Sequence, residues 1–338
     1  TPTARMTAET GNAGWHDNST PLPTLLLAIA LTCLQACTSH SHVDQPGADQ
    51  PHLLAGAVWD TGNARFIDLD ELKSATARAD YLLLGEVHDN PRHHVLQARL
   101  IASFSGAPGT VAVGFEQLTQ AQAEPMADYL LAHPDDAAGL GTAVDWENSG
   151  WPEWSMYQPI FQQALNRGWH PLPLMFNPDN SMTILEQGYG AVLGKQALTA
   201  LQPDTTLDPG EQAEVEALMH TSHCGKLPAS MLPGMVRIQV AKDAYMAWVA
   251  AGTGQRGVLI VGDGHARKDR GIPLFLRRAA PGKNIVVVSM VEVEPGLLAP
   301  ADYPQVNSSL SDFIVFTTRQ ERGDPCASIS GIATDQDS

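Results

Sequence analysis

Three apolar runs in the sequence each end in side chains that could carry out acid–base chemistry. These side chains are Glu86 with His88, Glu116, and Asp263 with His265. A histidine beside a carboxylate can activate water as a general base. Mixed nitrogen and oxygen donors can also hold a divalent metal ion and leave a position open for water. The candidate catalytic residues, which are also the candidate metal ligands, are therefore Glu86, His88, Glu116 and His265.

The elements around the first of these runs predict where its polar residues lie. Tyr81–Glu86 is short and uninterrupted, which is typical of a strand buried on both faces of a parallel sheet. Asn90 can cap a helix, and Pro91 suits the first helical position. His88 therefore lies in a loop at the carboxyl end of a strand, where open α/β sheets place their ligands. Asn177 ends a further strand and joins this predicted crevice, although polar residues at strand ends can also simply face solvent.

Strand and helix patterns alternate along most of the chain. Strands are predicted at Tyr81–Glu86, Thr110–Glu116, His170–Asn177, Gly257–Gly262, Asn284–Val293 and Asp312–Thr317, after a short hairpin within residues 57–67. Helices are predicted at Leu69–Ala79, Pro91–Phe104, Thr119–Leu131, Gln158–Asn166, Glu211–His223, Met231–Ala251 and Phe275–Ala280. This alternation predicts an α/β fold with a mostly parallel central sheet flanked by helices. The strand signal is absent from about 178 to 252, which predicts a smaller all-helical subdomain.

Composition restricts the class of protein. The chain has 338 residues, of which 43% are hydrophobic and 17% charged, and this balance is typical of a globular protein. Its net charge of −17 includes no basic stripe that could neutralise phosphates, which excludes nucleic acid as a partner.

The N-terminal segment has the pattern of a bacterial lipoprotein signal. Leu25–Leu34 is apolar but too short to span a bilayer, and it leads into Leu-Gln-Ala-Cys at residues 34–37. We expect a signal peptide at 1–36, a lipidated Cys37, a polar tether at 37–55, an α/β domain at 56–328 and a frayed tail at 329–338. Thr38, rather than an aspartate after the cysteine, favours the outer membrane, with the protein facing the periplasm or the cell surface.

Two cysteines, Cys224 and Cys326, remain once the signal peptide is removed and Cys37 is lipidated. The periplasm is oxidising, so a disulfide between them is one expectation. Two free buried thiols are the other, because the connectivity of cysteines cannot be deduced from sequence.

The paired glycine-x-x-histidine segments, with Glu116 between them, resemble the superfamily that contains the erythromycin esterases, the Tiki proteases and the ChaN-like haem-binding lipoproteins. The likeness is greatest to the ChaN-like group. It rests on residues 85–91 with His93 and His94, 114–117, 149–152 with Tyr157, 223–228, 264–273 and 324–326. One departure lies at Gln239–Asp243, where the group would have two arginines and this chain has Val240 and Lys242. The resemblance implies a lipid-anchored protein of iron uptake that holds haem between two subunits, with tyrosine as the axial ligand.

Several residues could supply what haem requires, namely an axial donor, aromatic walls and cations for the propionates. Trp146–Tyr157 is rich in aromatic residues, so Tyr157 is the predicted axial ligand, and Trp151 and Trp154 are the predicted walls. The alternative axial ligands are histidines: His93, His94, His220 and His223. Arg267 and Arg270 are the candidate propionate contacts, and solvated surface charge is the other interpretation of both.

Three functions remain open at this point. The first is haem binding by a homodimer that exchanges haem with a receptor or transporter. The second is a metal-dependent or histidine–glutamate hydrolase of the erythromycin esterase or Tiki type. The third is a scaffold whose polar residues only hydrogen bond one another. No nucleophile elbow, HExxH or P-loop supports another class of enzyme.

Overall fold

A computed structural model describes residues 52–324 and residue 326. The predicted signal peptide, the predicted lipidation site Cys37, most of the predicted tether and the predicted tail lie outside these residues. No helix in the described ranges is both long enough and apolar enough to cross a membrane.

One eight-stranded sheet forms the centre of the molecule. Its strands are β1 (Val58–Asp60), β2 (Arg65–Ile67), β3 (Tyr81–Glu86), β4 (Val111–Thr119), β5 (His170–Met175), β6 (Arg256–Gly262), β7 (Ile285–Glu292) and β8 (Phe313–Thr317), in the order β2-β1-β8-β7-β3-β6-β4-β5. Strands β3 to β8 are parallel, and the β1–β2 hairpin pairs antiparallel with β8. The predicted α/β fold with a mostly parallel sheet is confirmed.

Eleven α-helices pack around the sheet in the described part of the chain. They are α1 (Leu69–Thr76), α2 (Pro91–Ser103), α3 (Ala123–Ala132), α4 (Ala137–Ala143), α5 (Trp154–Asn166), α6 (Asn180–Gln187), α7 (Gly190–Leu201), α8 (Pro209–Ser222), α9 (Leu232–Gly252), α10 (Asp263–Ala266) and α11 (Ile272–Ala279). Only helices lie between β5 and β6 there, as expected. Helices α4, α6 and α7 had no clear signal in the sequence, and a non-helical Gly194 interrupts α7.

The apolar run of β3 contributes to two cores at once. Its side chains alternate between the faces of the sheet. Leu82 and Leu84 join the core under α2 and α5, whereas Tyr81 and Leu83 join the core under α9 and α11. Burial on both faces explains why this run contains no polar residue.

Strand β3 passes directly into α2 through a short loop. The Asn90 side chain accepts a hydrogen bond from the Arg92 backbone N–H (3.0 Å), and Pro91 occupies the first helical position, where no backbone donor is needed. The loop therefore holds His88 at the carboxyl edge of the sheet.

The chain after β8 is held across that edge by ionic and covalent contacts. Arg322 forms ion pairs with Asp89, beside the β3–α2 loop, and with Glu292 at the end of β7. Further on, Cys326 forms a disulfide with Cys224 at the end of α8. The C-terminal segment thus connects the sheet edge to the helical region between β5 and β6.

Loss of this disulfide should lower the stability of the domain. The bond closes a loop between cysteines 102 residues apart, so we expect the Cys224→Ser/Cys326→Ser variant to lose about 2–4 kcal/mol of unfolding free energy. Urea unfolding with and without reductant measures this. The stability of the double variant should not change when reductant is added. If the oxidised wild type and the variant are equally stable, the disulfide does not stabilise the domain.

Candidate functional site

The Glu86 carboxylate, at the end of β3, lies at the centre of a buried hydrogen-bond network. It accepts hydrogen bonds from Gln97 Nε2 (2.5 Å), Gln117 Nε2 (2.9 Å) and Tyr157 Oη (2.6 Å). His88 Nδ1 lies 2.8 Å from one carboxylate oxygen and His94 Nδ1 lies 3.2 Å from the other. Burial alone would raise the pKa of Glu86, but the neighbouring His94 and His88 hold that pKa well below its usual range. Glu86 is therefore ionised and acts as the common acceptor.

His88 is oriented by Glu86 on one side and by an indole on the other. Because Glu86 is an ionised acceptor, His88 Nδ1 carries the hydrogen of their bond, and Nε2 of a neutral ring is then an acceptor. This Nε2 is buried and has no hydrogen-bond partner among the described residues. The half-buried Trp151 ring meets the imidazole edge-on at 4.8 Å between centroids. The arrangement therefore leaves this one ring nitrogen of His88 without a partner, which makes it the candidate ligand-facing atom of the site.

A second cluster surrounds His265, which follows β6. Its Nδ1 lies 2.6 Å from Asp243 of α9, and its Nε2 lies 3.3 Å from Glu116 of β4. Glu116 Oε2 also accepts a hydrogen bond from the Gly262 backbone N–H (2.7 Å). Both ring nitrogens of His265 thus face carboxylates, and neither is left for a ligand.

Charges within the second cluster shift the pKa of each member. Burial would lower the pKa of His265, but the Glu116 and Asp243 carboxylates raise it to about 10. Burial would raise the pKa of Glu116, but His265 lowers it to about 2. Burial raises the pKa of Asp243 to about 6, despite the opposing effect of His265. The two carboxylates thus favour the charged form of His265 at neutral pH.

The structure does not support the predicted metal site of Glu86, His88, Glu116 and His265. The two histidines bond to different carboxylates, and Glu86 is already engaged by the donors of its own network. Among the described residues, no group of three or more His, Cys, Asp or Glu side chains is arranged to hold a metal ion.

Two other residues predicted at the crevice have local contacts of their own. Asn177 accepts a hydrogen bond from the Ala121 backbone N–H (2.8 Å) and so ties the end of β5 to the segment after β4. Asp263 packs against Gly85, where an added Cβ would lie 2.7 Å from its Oδ1. Burial raises the pKa of Asp263. A glycine at position 85 of β3 is thus required for the close approach of Asp263 at the start of α10.

The predicted haem-binding aromatic residues differ in their access to solvent. Tyr157 is fully buried, and burial together with the nearby Glu86 raises the pKa of its phenol well above the usual value. Trp154 packs against Trp146 and Phe161 and donates from Nε1 to the Ala137 carbonyl (3.2 Å), so it belongs largely to the core. Trp151 is the one of the three that combines partial exposure with contact to a histidine of the site.

Two of the four alternative histidine ligands, His93 and His94, have buried partners as well. His94 Nε2 lies 2.9 Å from the His88 carbonyl, and its ring stacks near Tyr157 at 4.2 Å between centroids. His93 Nε2 lies 2.7 Å from Thr317 Oγ1. Burial lowers the pKa of His93 to about 4, which keeps its ring neutral. Both histidines fasten α2 to the sheet edge.

The two predicted propionate contacts are not equivalent. Arg267 forms an ion pair with Asp269 (2.6 Å). In the described part of the chain the half-buried Arg270 makes no hydrogen bond or ion pair. Burial and the nearby Arg267 lower its pKa, and the Asp269 carboxylate acts in the opposite direction. Arg270 is therefore the cation of this pair that is available to an external carboxylate.

Three members of the site were not predicted. Gln97 follows His94 by one helical turn, so the spacing of α2 could have indicated a shared face. Gln117 stands beside Glu116 in the sequence. Asp243 ends the segment 239–243 that was compared with the family, but the sequence does not specify how α9 is rotated against the sheet, so its contact with His265 was not predicted.

The fold and the site define a class of α/β proteins in which two glycine-x-x-histidine loops meet at the carboxyl edge of a parallel sheet, each histidine beside a carboxylate. A family model described as "Haem-binding uptake, Tiki superfamily, ChaN" matches residues 72–276, and the chain belongs to this family. The likeness predicted from the motifs is thereby confirmed.

Among solved structures, the fold is similar to that of ChaN of Campylobacter jejuni, described with cofacial haem binding. That match has a TM-score of 0.61 and 22% identity, and it covers 76% of this chain and 95% of that one. An erythromycin esterase in its open conformation matches with a TM-score of 0.38 and 11% identity, over 76% of this chain and 95% of that one. No curated protein matches the sequence.

Proposed function

We propose that this protein binds haem as a lipid-anchored component of bacterial iron uptake. The observation that carries the proposal is the family match, which extends over residues 72–276 and so includes both histidine loops. The shared fold with the Campylobacter jejuni protein, whose title describes cofacial haem binding, is consistent with it.

The residues at the sheet edge suit a haem group. Trp151 offers an aromatic surface beside His88, whose Nε2 is a buried nitrogen without a partner among the described residues. Arg270 offers a guanidinium to a propionate. A bound haem would supply iron coordination, while these residues would pack against the ring and hold its carboxylates.

An axial tyrosine remains part of the proposal, and the structure sets a condition on it. The Tyr157 hydroxyl donates to Glu86, so it must give up that bond and turn out of the core before its oxygen can meet iron. Spectra of haem-loaded Tyr157→Phe test this directly. Loss of a tyrosinate-type charge-transfer band identifies Tyr157 as the ligand, and an unchanged spectrum excludes it.

Arg270→Gln should weaken haem binding, whereas Arg267→Gln should leave it nearly unchanged. Loss of one charge-assisted contact to a propionate is worth about 1.5–3 kcal/mol, which corresponds to roughly ten-fold or more in Kd. Arg267 is the matched control because Asp269 already neutralises it. Haem titration of the three proteins measures the effect, and equal affinities would remove Arg270 from the site.

Hydrolysis is a second candidate function, favoured by the unpartnered Nε2 of His88. With Nδ1 bonded to Glu86, this nitrogen could take a proton from water as a general base without a metal. Release of nitrophenol from simple nitrophenyl esters tests the idea, with His88→Gln as the variant. Activity equal in both proteins, or absent from the wild type, would remove this candidate.

The anchor and the partners complete the proposal. Lipidation of Cys37, attachment to the outer membrane, a homodimer around haem, and haem exchange with a receptor or transporter are supported by the sequence pattern and the family resemblance. The mass of the N-terminal peptide from purified protein tests lipidation. Native mass spectrometry with and without haem tests whether haem joins two chains.

A further inference from the structure

An uncharged surface surrounds the point where the described chain begins. Residues 52–59 and residues 295–301 contain no aspartate, glutamate, lysine or arginine, in a protein with a net charge of −17. The exposed positions of the two segments, which are Leu53 and Gly56 in the first and most of the second, therefore carry no charge.

The two segments lie together in space. Leu54 of the first packs in one buried cluster with Val293 and Tyr303, which flank the second, and Leu297 packs against the same cluster. His52 Nε2 lies 3.1 Å from the Glu294 carbonyl, which joins the two segments at their ends. They therefore form one continuous surface.

Three apolar side chains project from this surface. Leu53 is 79% exposed, Leu298 is 56% exposed and Phe66 is 51% exposed. Phe66 lies on the same side of the sheet as this surface. It pairs across the hairpin with Trp59, and Trp59 pairs with Ile314 of the same buried cluster. Residues paired directly across neighbouring strands share one face of a sheet. We call Leu53, Phe66 and Leu298 with residues 52–59 and 295–301 the apolar face. Exposed apolar side chains whose neighbours pack in one cluster indicate an interaction surface more than side chains scattered singly do.

We propose that the apolar face rests on the surface of a lipid bilayer and inserts these three side chains into it. The inference rests on the proposed lipid anchor: Cys37 lies 15 residues before His52, and that length of chain spans at most about 50 Å. The anchor would therefore hold this end of the domain close to the membrane. Glu294 and Asp302 border the face, so it suits zwitterionic rather than anionic headgroups.

A lipid chain and an inserted apolar face act together. One acyl chain alone gives reversible binding, with an association constant of about 10⁴ M⁻¹ for a single myristoyl group. Added insertion of the apolar face would orient the domain as well as hold it. The side chains should enter only as far as the headgroup and upper acyl region.

Hydrogen exchange on vesicles of phosphatidylcholine and phosphatidylethanolamine tests the proposal with the full lipidated chain. Relative to Cys37→Ser in lipid-free buffer, amides of 52–59 and 295–301 should exchange at least about five-fold more slowly, and those of α3 should not change. Leu53→Asp/Leu298→Asp should still float with the vesicles but lose the slowing. Leu131→Asp is the matched control, since Leu131 is 87% exposed on α3 and its change should have no effect.

The other possible results distinguish failure of bilayer docking from failure of the proposed lipid anchor. Unchanged exchange on vesicles overturns docking while leaving the anchor intact. If the protein does not float with the vesicles, the proposed anchor is wrong. Docking is then tested separately by titrating Cys37→Ser with up to about 10 mM lipid. Insertion of the three side chains should still slow exchange in that titration. No slowing there overturns docking. Slowed amide exchange that occurs without lipid and depends on protein concentration would show that a second copy of the chain covers the apolar face. That result would also overturn docking on a bilayer.

Discussion

Glu86→Ala should destabilise the protein by about 4 kcal/mol or more. The carboxylate accepts hydrogen bonds from Gln97, Gln117 and Tyr157 and is paired with His88, all in a fully buried environment. Its removal leaves several buried donors without an acceptor, each at a cost of about 1–3 kcal/mol, and creates a cavity. Urea unfolding followed by circular dichroism measures the loss.

Two control variants separate the effect of the buried hydrogen-bond network on stability from the effect of losing one carboxylate charge. Glu71→Ala removes an exposed carboxylate that pairs with Arg65, and it should cost less than about 1 kcal/mol. Tyr157→Phe removes a single donor and should cost about 1–2 kcal/mol. A loss in Glu86→Ala no larger than that in Glu71→Ala would show that the buried network contributes little to stability.

His265→Gln should destabilise the protein by an amount that depends on pH. In the folded protein the Glu116 and Asp243 carboxylates, acting against burial, raise the pKa of His265 to about 10 from an ordinary value of 6.5. A raised histidine pKa gives stability that is fully present below the unfolded pKa and is lost as pH rises through the folded pKa. The wild type should therefore exceed the variant by about 3–5 kcal/mol at pH 7, the usual cost of breaking a buried pair. This difference should decrease towards pH 10.

The pH window is chosen to isolate His265. In the wild type the pKa of Asp243 is raised to about 6 and that of Glu116 is lowered to about 2, so both carboxylates are mostly ionised between pH 7 and pH 10. His170→Gln alters an exposed histidine and should show no such trend. A difference between His265→Gln and wild type that is constant over this window would contradict a charged His265 in the core.

The sequence predicted the sheet better than it predicted the contacts at its edge. Strand β3 has the predicted bounds, Tyr81–Glu86, because burial on both faces leaves an unbroken apolar run with a glycine and polar residues after it. Strand β4 extends beyond the predicted Glu116 to Thr119, across an irregularity in its register with β5. That extension places Gln117 in the strand, where it reaches Glu86.

The partners of the two histidines could not be predicted in the same way. His88 and Glu86 are neighbours in sequence, but His265 meets Asp243 through α9, whose rotation depends on packing of the helical region against the sheet. Tyr157 was expected at an aromatic surface. Helix α5 begins at Trp154, and its helical turn directs the phenol to Glu86 instead. The four residues predicted to share one metal site consequently pair in two sets, His88 with Glu86 and His265 with Glu116.

Haem titration of the purified protein, followed by absorption spectroscopy, tests the central claim most directly. The account predicts a saturable Soret band shifted from that of free haem at micromolar protein, with weaker binding in Arg270→Gln and unchanged binding in Arg267→Gln. Absence of a shifted Soret band in the folded wild-type protein would contradict haem binding.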